Sequence, residues 1–127
     1  MGLILDSTAL IGAERKGLNA RHALSQLMDK VGASEVGISV VTALEFTHGI
    51  ARADTPERRA KRQGFLDELL GAVPVHPVTL AIALRAGQID GTNSAQGLRV
   101  ALGDLLIGVT ALEAGLVWRH RTCATLR

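Results

Sequence analysis

Aromatic residues are nearly absent from the 127-residue chain. Phe46, Phe65 and Trp118 are the whole set, 2% of the sequence, and there is no Tyr. Recognition of bases by rows of stacked aromatic rings is thereby excluded, and the core is expected to be aliphatic. Cysteine is reduced to Cys123. One thiol rules out an internal disulfide framework and a multi-cysteine zinc site, and it fits a reducing cytoplasm. Gly, Pro or charge interrupts every apolar stretch before the ~18 residues of a membrane span. Met1-Gly2-Leu3-Ile4-Leu5-Asp6 has no basic run ahead of its apolar residues, so no secretory signal is expected. There is no GxGxxG and no GxxxxGK[ST], which removes support for nucleotide binding by a Gly-rich loop. Neither sign of charge dominates: 14 basic against 12 acidic residues gives +2, which permits phosphate contact without demanding it.

What is present suits one globular domain over residues 1–127. Apolar residues make up 47% and charged residues 20%, enough to build a core. Gly2 to Leu5 is too short for a helix and reads as a buried strand ending at Asp6. Ala9 to Gly12 follows as one or two helical turns. Asn19 to Val31 spaces Ala20, Ala23, Leu24, Leu27 and Met28 by threes and fours, an amphipathic helix closed by Gly32. Val36 to Val40 is the second strand, followed by a helix capped by Thr42. Thr55-Pro56-Glu57 is a helix start with Pro at the first position, running to about Leu70. Val73 to Val78 carries prolines that mark an edge strand. Thr79 opens a helix to about Ile89, and Asp90 to Ser94 reads as a loop with Asp90 as a turn residue. Gly103 to Leu112 is apolar nearly all round, a buried helix ended by Gly115, and Leu116 to Trp118 is a further strand. Strands alternating with helices predict an α/β fold with a mainly parallel sheet.

Three acids stand in apolar settings on three of these elements. Asp6 ends the first strand, Glu45 lies in the helix after the second, and Asp104 opens the buried helix. In an open α/β sheet the carboxyl ends of the strands and the N-termini of the following helices share one edge, where ligands bind. Carboxylates gathered there repel one another unless a cation intervenes. Oxygen donors without His or Cys suit Mg²⁺ or Mn²⁺. Such an ion activates water and offsets charge on a phosphodiester. Metal-dependent hydrolysis of a nucleic acid is the reaction class that follows. Taken singly, Asp6 and Asp104 also read as helix caps, and Glu45 as a solvated helix residue; the case rests on the trio.

Leu3-Ile4-Leu5-Asp6-Ser7-Thr8-Ala9-Leu10-Ile11 resembles the opening of PIN-domain proteins. Ala43-Leu44-Glu45-Phe46-Thr47-His48-Gly49-Ile50 resembles their second motif, and Asp104-Leu105-Leu106-Ile107-Gly108-Val109-Thr110-Ala111-Leu112 their third. The resemblance covers about residues 2–116 and is nearest to the VapC-type toxins of type II toxin–antitoxin pairs. It implies a PIN-like three-layer α/β/α fold with a short, mainly parallel sheet, usually as a homodimer. It also implies a Mg²⁺- or Mn²⁺-dependent ribonuclease acting on RNA such as tRNA, and a cognate antitoxin that covers the site. Asp6, Glu45 and Asp104 match the family's metal ligands, and Ser7 or Thr8 matches a hydroxyl that orients a carboxylate or water.

The end departs from that pattern. The family continues to an Asp or Asn and a last strand, whereas here Glu113 is the last acid and residues 117–127 form an atypical tail. Such an end is what a frameshift near residue 117 leaves. The expectation is a missing or altered last strand, an exposed sheet edge and weaker binding of a second ion. The alternative function is then a catalytically impaired PIN-like domain that acts by binding an antitoxin or RNA. A phospho-accepting receiver domain is disfavoured: there is no early pair of adjacent acids, and the last lysine is Lys61.

The remaining features read as structural. Arg52, Arg58, Arg59, Lys61 and Arg62 lie among acids and suggest a solvated helix face. Arg119, His120, Arg121 and Arg127 suggest a disordered end, and Cys123 an inert thiol. His22, His48, His76 and His120 have no ligand spacing, though His48 follows Glu45 by three residues and is a candidate to approach the acids.

Overall fold

The structure, a computed structural model, describes residues 2–119. The expectations for His120, Arg121, Cys123 and Arg127, and for a missing or altered last strand in the tail, lie outside the described residues. The chain begins with β1 (Gly2–Leu5) and α1 (Ser7–Arg15), then α2 (Ala20–Val31), β2 (Glu35–Ser39) and α3 (Val40–Ala51). It continues through α4 (Pro56–Ala72), β3 (Val75–His76), α5 (Leu80–Ala95), α6 (Leu102–Ala114) and β4 (Val117–Arg119). The sheet has the order β3-β2-β1-β4, and each neighbouring pair is parallel. Ile4 sits opposite Gly37 on one side and Trp118 on the other, so β1 is central. β3 is at the edge, as its prolines predict.

The two-residue period of β1 divides the interior. Leu3 and Leu5 point to one face, where they join Leu10, Leu24, Ile38, Phe46, Phe65, Leu66 and Leu69 from β2 and helices α1–α4. Ile4 points to the other and packs on Ile107 and Ala111 of α6. Behind α6, Ile82 and Ala86 of α5 close a third cluster with Leu105 and Val109. The result is the three-layer α/β/α arrangement expected. Each fully buried Leu or Ile contributes about 1.5–3 kcal/mol. The core is aliphatic apart from Phe46 and Phe65, whose rings stack at 5.6 Å between centroids and join α3 to α4. Among the described residues, no helix is long and apolar enough to cross a membrane.

Local chemistry set several boundaries. Asn19 accepts from the His22 N–H and Gly32 closes α2 at φ +70°. Thr55 accepts from the Arg58 N–H with Pro56 behind it, and Gly115 ends α6 at φ +69°. A side chain with Cβ disfavours that left-handed conformation, hence glycine.

Four expectations need correcting. α1 begins at Ser7 and runs nine residues, not one or two turns, because Asp6 caps it directly. Thr42 does not cap α3: Ser39 does, its Oγ accepting from the Val41 N–H at 3.0 Å, and Val40 is helical. The third strand is only two residues long. Residues 90–94 are helical, so Asp90 is an exposed helix residue and not a turn residue. Burial of Ile82 and Ala86, with Ile89 packed beside them, outweighs the poor propensities of Gly91, Thr92 and Asn93.

Candidate active site

Asp6 follows the last residue of β1 and is 2% exposed. Its Oδ1 accepts from the Ala9 N–H at 3.2 Å and from Thr8 Oγ1 at 2.9 Å, so the helix-cap reading is correct as geometry. Oδ2 is buried too. A carboxylate at a helix N-terminus is favoured by the dipole.

Glu45 is the sixth residue of α3 and half-buried. The Ser7 hydroxyl donates to its Oε1 at 3.0 Å. Its Oε2 lies against Gly103, 2.7 Å from where a Cβ on that residue would stand. Thus Glu45 bridges the residue after Asp6 and the residue before Asp104. Asp104 is half-buried in the first turn of α6 and is not its cap: Ala101 is, without a side-chain bond. Three elements therefore meet at one sheet edge, and both hydroxyls of Ser7-Thr8 are engaged with a carboxylate.

The arrangement is oxygen-only. Among the described residues, no three His, Cys, Asp or Glu side chains are gathered tightly enough to chelate an ion directly. The donor chemistry still fits a hard cation, since Mg²⁺ keeps several waters and needs only one or two carboxylates. Asp6, Glu45 and Asp104 are the residues that could hold it.

His22 and His48 are exposed, and His76 lies on β3 against Gly37. Glu113, the last acid, pairs with Arg85 at 2.7 Å near the far end of α6. In the basic run, Arg58 binds both oxygens of Asp54 at 2.8 and 2.9 Å. That hydrogen bond and charge hold the Asp54 carboxyl below the usual carboxylate range. Arg59 donates to Ala53 O and Arg62 to Gly49 O. Sequence reasoning missed Glu14, a carboxylate only 5% exposed with Arg62 Nε at 3.9 Å, beside a small pocket lined by Ile11, Phe46 and Gly49. It also missed the role of Gly103. Its only signal is a glycine directly before an acid at a helix start.

The PIN domain family pattern matches residues 3–118. The chain belongs to the PIN domain family. No curated protein sequence matches this PIN-domain chain. Among solved structures it is similar to VapBC2 from Rickettsia felis bound to a DNA fragment from their promoter: TM-score 0.74, 19% identity, covering 93% of this chain and 85% of that one. VapBC-1 from nontypeable Haemophilus influenzae gives 0.74 and 20%, covering 96% and 87%. VapBC-5 from Mycobacterium tuberculosis, a member of the VapBC family of toxin-antitoxin systems, gives 0.69 and 23%, covering 91% and 80%. At these identities the likeness establishes the fold.

Proposed function

We propose that this PIN-domain protein is a VapC-type toxin, a Mg²⁺- or Mn²⁺-dependent endoribonuclease of the cytoplasm restrained by a cognate antitoxin. The observation that carries the reading is Glu45, tied through Ser7 to the neighbourhood of Asp6 and through Gly103 to that of Asp104. Asp6, Glu45 and Asp104 would hold the ion, which would supply activation of a water and offset of charge on the phosphodiester. The chain's own part is placement. Asp6 is fixed by its bonds from Thr8 and Ala9. Ser7 holds the Glu45 carboxylate, and Asp104 adds a third charge from α6. The antitoxin reading is supported by the fold likeness to VapBC complexes.

The test is cleavage of labelled RNAs, tRNA included, by the purified chain. Products in Mg²⁺ or Mn²⁺ that vanish in EDTA are expected. Cleavage that persists in EDTA would overturn the metal role. A folded chain that cuts none of the RNAs points to the second reading, a PIN domain that acts only by binding an antitoxin or RNA. One observation favours that second reading: Glu113, the last acid, is committed to Arg85 and supplies no fourth carboxylate.

The homodimer has support from α5. Leu80 and Leu84, one turn apart, are 75% and 61% exposed, an apolar stripe of the kind that association covers. Light scattering is expected to give a dimer mass for the native chain and a monomer mass for Leu84→Glu. A variant that stays dimeric would move the interface elsewhere.

A further inference from the structure

We propose that Thr42 is a positioning residue for the carboxylate site. It locks α3 onto the end of β1 and so holds Glu45 beside Asp6. The inference rests on the metal-site reading above and adds a residue to it.

Thr42 is fully buried. Its Oγ1 donates to Leu5 O at 3.2 Å, across 37 positions of the chain. Two other threonines in helices do something different. Thr47 donates to Ala43 O and Thr110 to Leu106 O, each one turn back in its own helix, the usual habit of a helical hydroxyl. Thr42 instead reaches out of α3 to the last carbonyl of β1. That carbonyl belongs to the peptide unit that leads into Asp6.

Glu45 stands three residues after Thr42, so the two share a side of α3. Its Oε1 is bound by Ser7. Two bonds therefore run between α3 and the β1–α1 junction, Thr42 to Leu5 and Glu45 to Ser7, and Asp6 lies between their anchor points. A two-point attachment fixes both the height and the rotation of α3 against β1. With only the Ser7 bond left, Glu45 can follow a swing of its own side chain. Valine has nearly the shape of threonine and can stay buried in its place. What it lacks is the bond to Leu5.

The experiment compares the full chain with Thr42→Val and Thr42→Ser. Three quantities are read: Mn²⁺ affinity by calorimetry, metal-free thermal midpoint, and the Glu45 carboxyl ¹³C resonance at one neutral pH. T42V is expected to weaken Mn²⁺ binding about tenfold, the lower end of what supporting groups around metal ligands give. It should also displace the Glu45 resonance, and T42S should recover both. A T42V chain with a lowered midpoint but native Mn²⁺ affinity and an unmoved Glu45 resonance would show Thr42 to be structural only, and would overturn the proposal. If T42V does not fold, Thr42→Cys, a weak donor of similar size, carries the same comparison. A native chain that binds no Mn²⁺ sinks the metal reading. In that case the Glu45 resonance alone decides whether Thr42 positions it.

Discussion

Asp6→Asn should lower RNA cleavage and Mn²⁺ affinity on the order of a hundredfold or more while leaving the fold intact. The two effects separate because the two oxygens of Asp6 do different work. Oδ1 caps α1, accepting from the Ala9 N–H and Thr8 Oγ1. Asparagine keeps that acceptor and is as good a cap as aspartate. What disappears is the negative charge, and the charge count of the ligands is what tunes the affinity of a hard-cation site. Removing the charge also gives up its favourable interaction with the α1 dipole, about 0.3–1 kcal/mol. Thermal unfolding in EDTA should therefore find D6N folded and within about 1 kcal/mol of the native chain. Calorimetric titration with Mn²⁺ and cleavage of labelled RNA measure the loss. A D6N chain that cuts RNA at the native rate would remove Asp6 from the chemistry and leave it as a cap.

Gly103→Ala should give the opposite pairing, a chain slightly more stable and much less active. A Cβ at residue 103 would stand 2.7 Å from Glu45 Oε2 and 3.5 Å from its Cδ. Real atoms do not approach so closely, so something moves. The obstacle is the end of a flexible side chain, half-exposed, and it moves at low cost. Residue 103 is helical, and replacing Gly with Ala inside a helix contributes up to about 1 kcal/mol. Unfolding in urea should thus show a midpoint equal to or above the native one. The displaced carboxylate leaves its place between Ser7 and Gly103, and cleavage should fall about tenfold or more. A gain in stability with a loss of activity is the trade expected where function holds a residue off its stability optimum. Full activity in G103A would mean that Glu45 does not need the position it occupies here.

Much of this fold can be read locally. The ends of α2 follow from Asn19 and Gly32, the start of α4 from Thr55-Pro56, and the end of α6 from Gly115. Each signal lies within a few residues of the boundary it sets, because capping hydrogen bonds and left-handed glycines act over one turn. Where local signals misled, a packed partner outweighed them. Gly91, Thr92 and Asn93 look like a loop, but α5 continues through them because its buried residues rest on α6. Thr42 looks like a cap, yet with Ser39 already bound to the Val41 N–H its hydroxyl is turned to Leu5.

The candidate site divides the same way. The sequence by itself determined which acids stand at element ends and in what order, because strand and helix periods are written in neighbouring residues. It placed Asp6 at the end of a strand with Ser7 and Thr8 beside it, while the start of α1 at Ser7 under an Asp6 cap came from the structure. Only the tertiary structure decided which hydroxyl meets which carboxylate, that Glu45 rests on a glycine, and that Thr42 reaches the end of β1. It also decided that Glu113 goes to Arg85, and that Arg62 faces inward toward Glu14. These partners lie 28 to 48 positions apart for Arg85–Glu113, Thr42–Leu5, Glu45–Ser7 and Arg62–Glu14. Over such separations no local preference acts, and the pairing is set by how helices of fixed length seat on a sheet of fixed spacing.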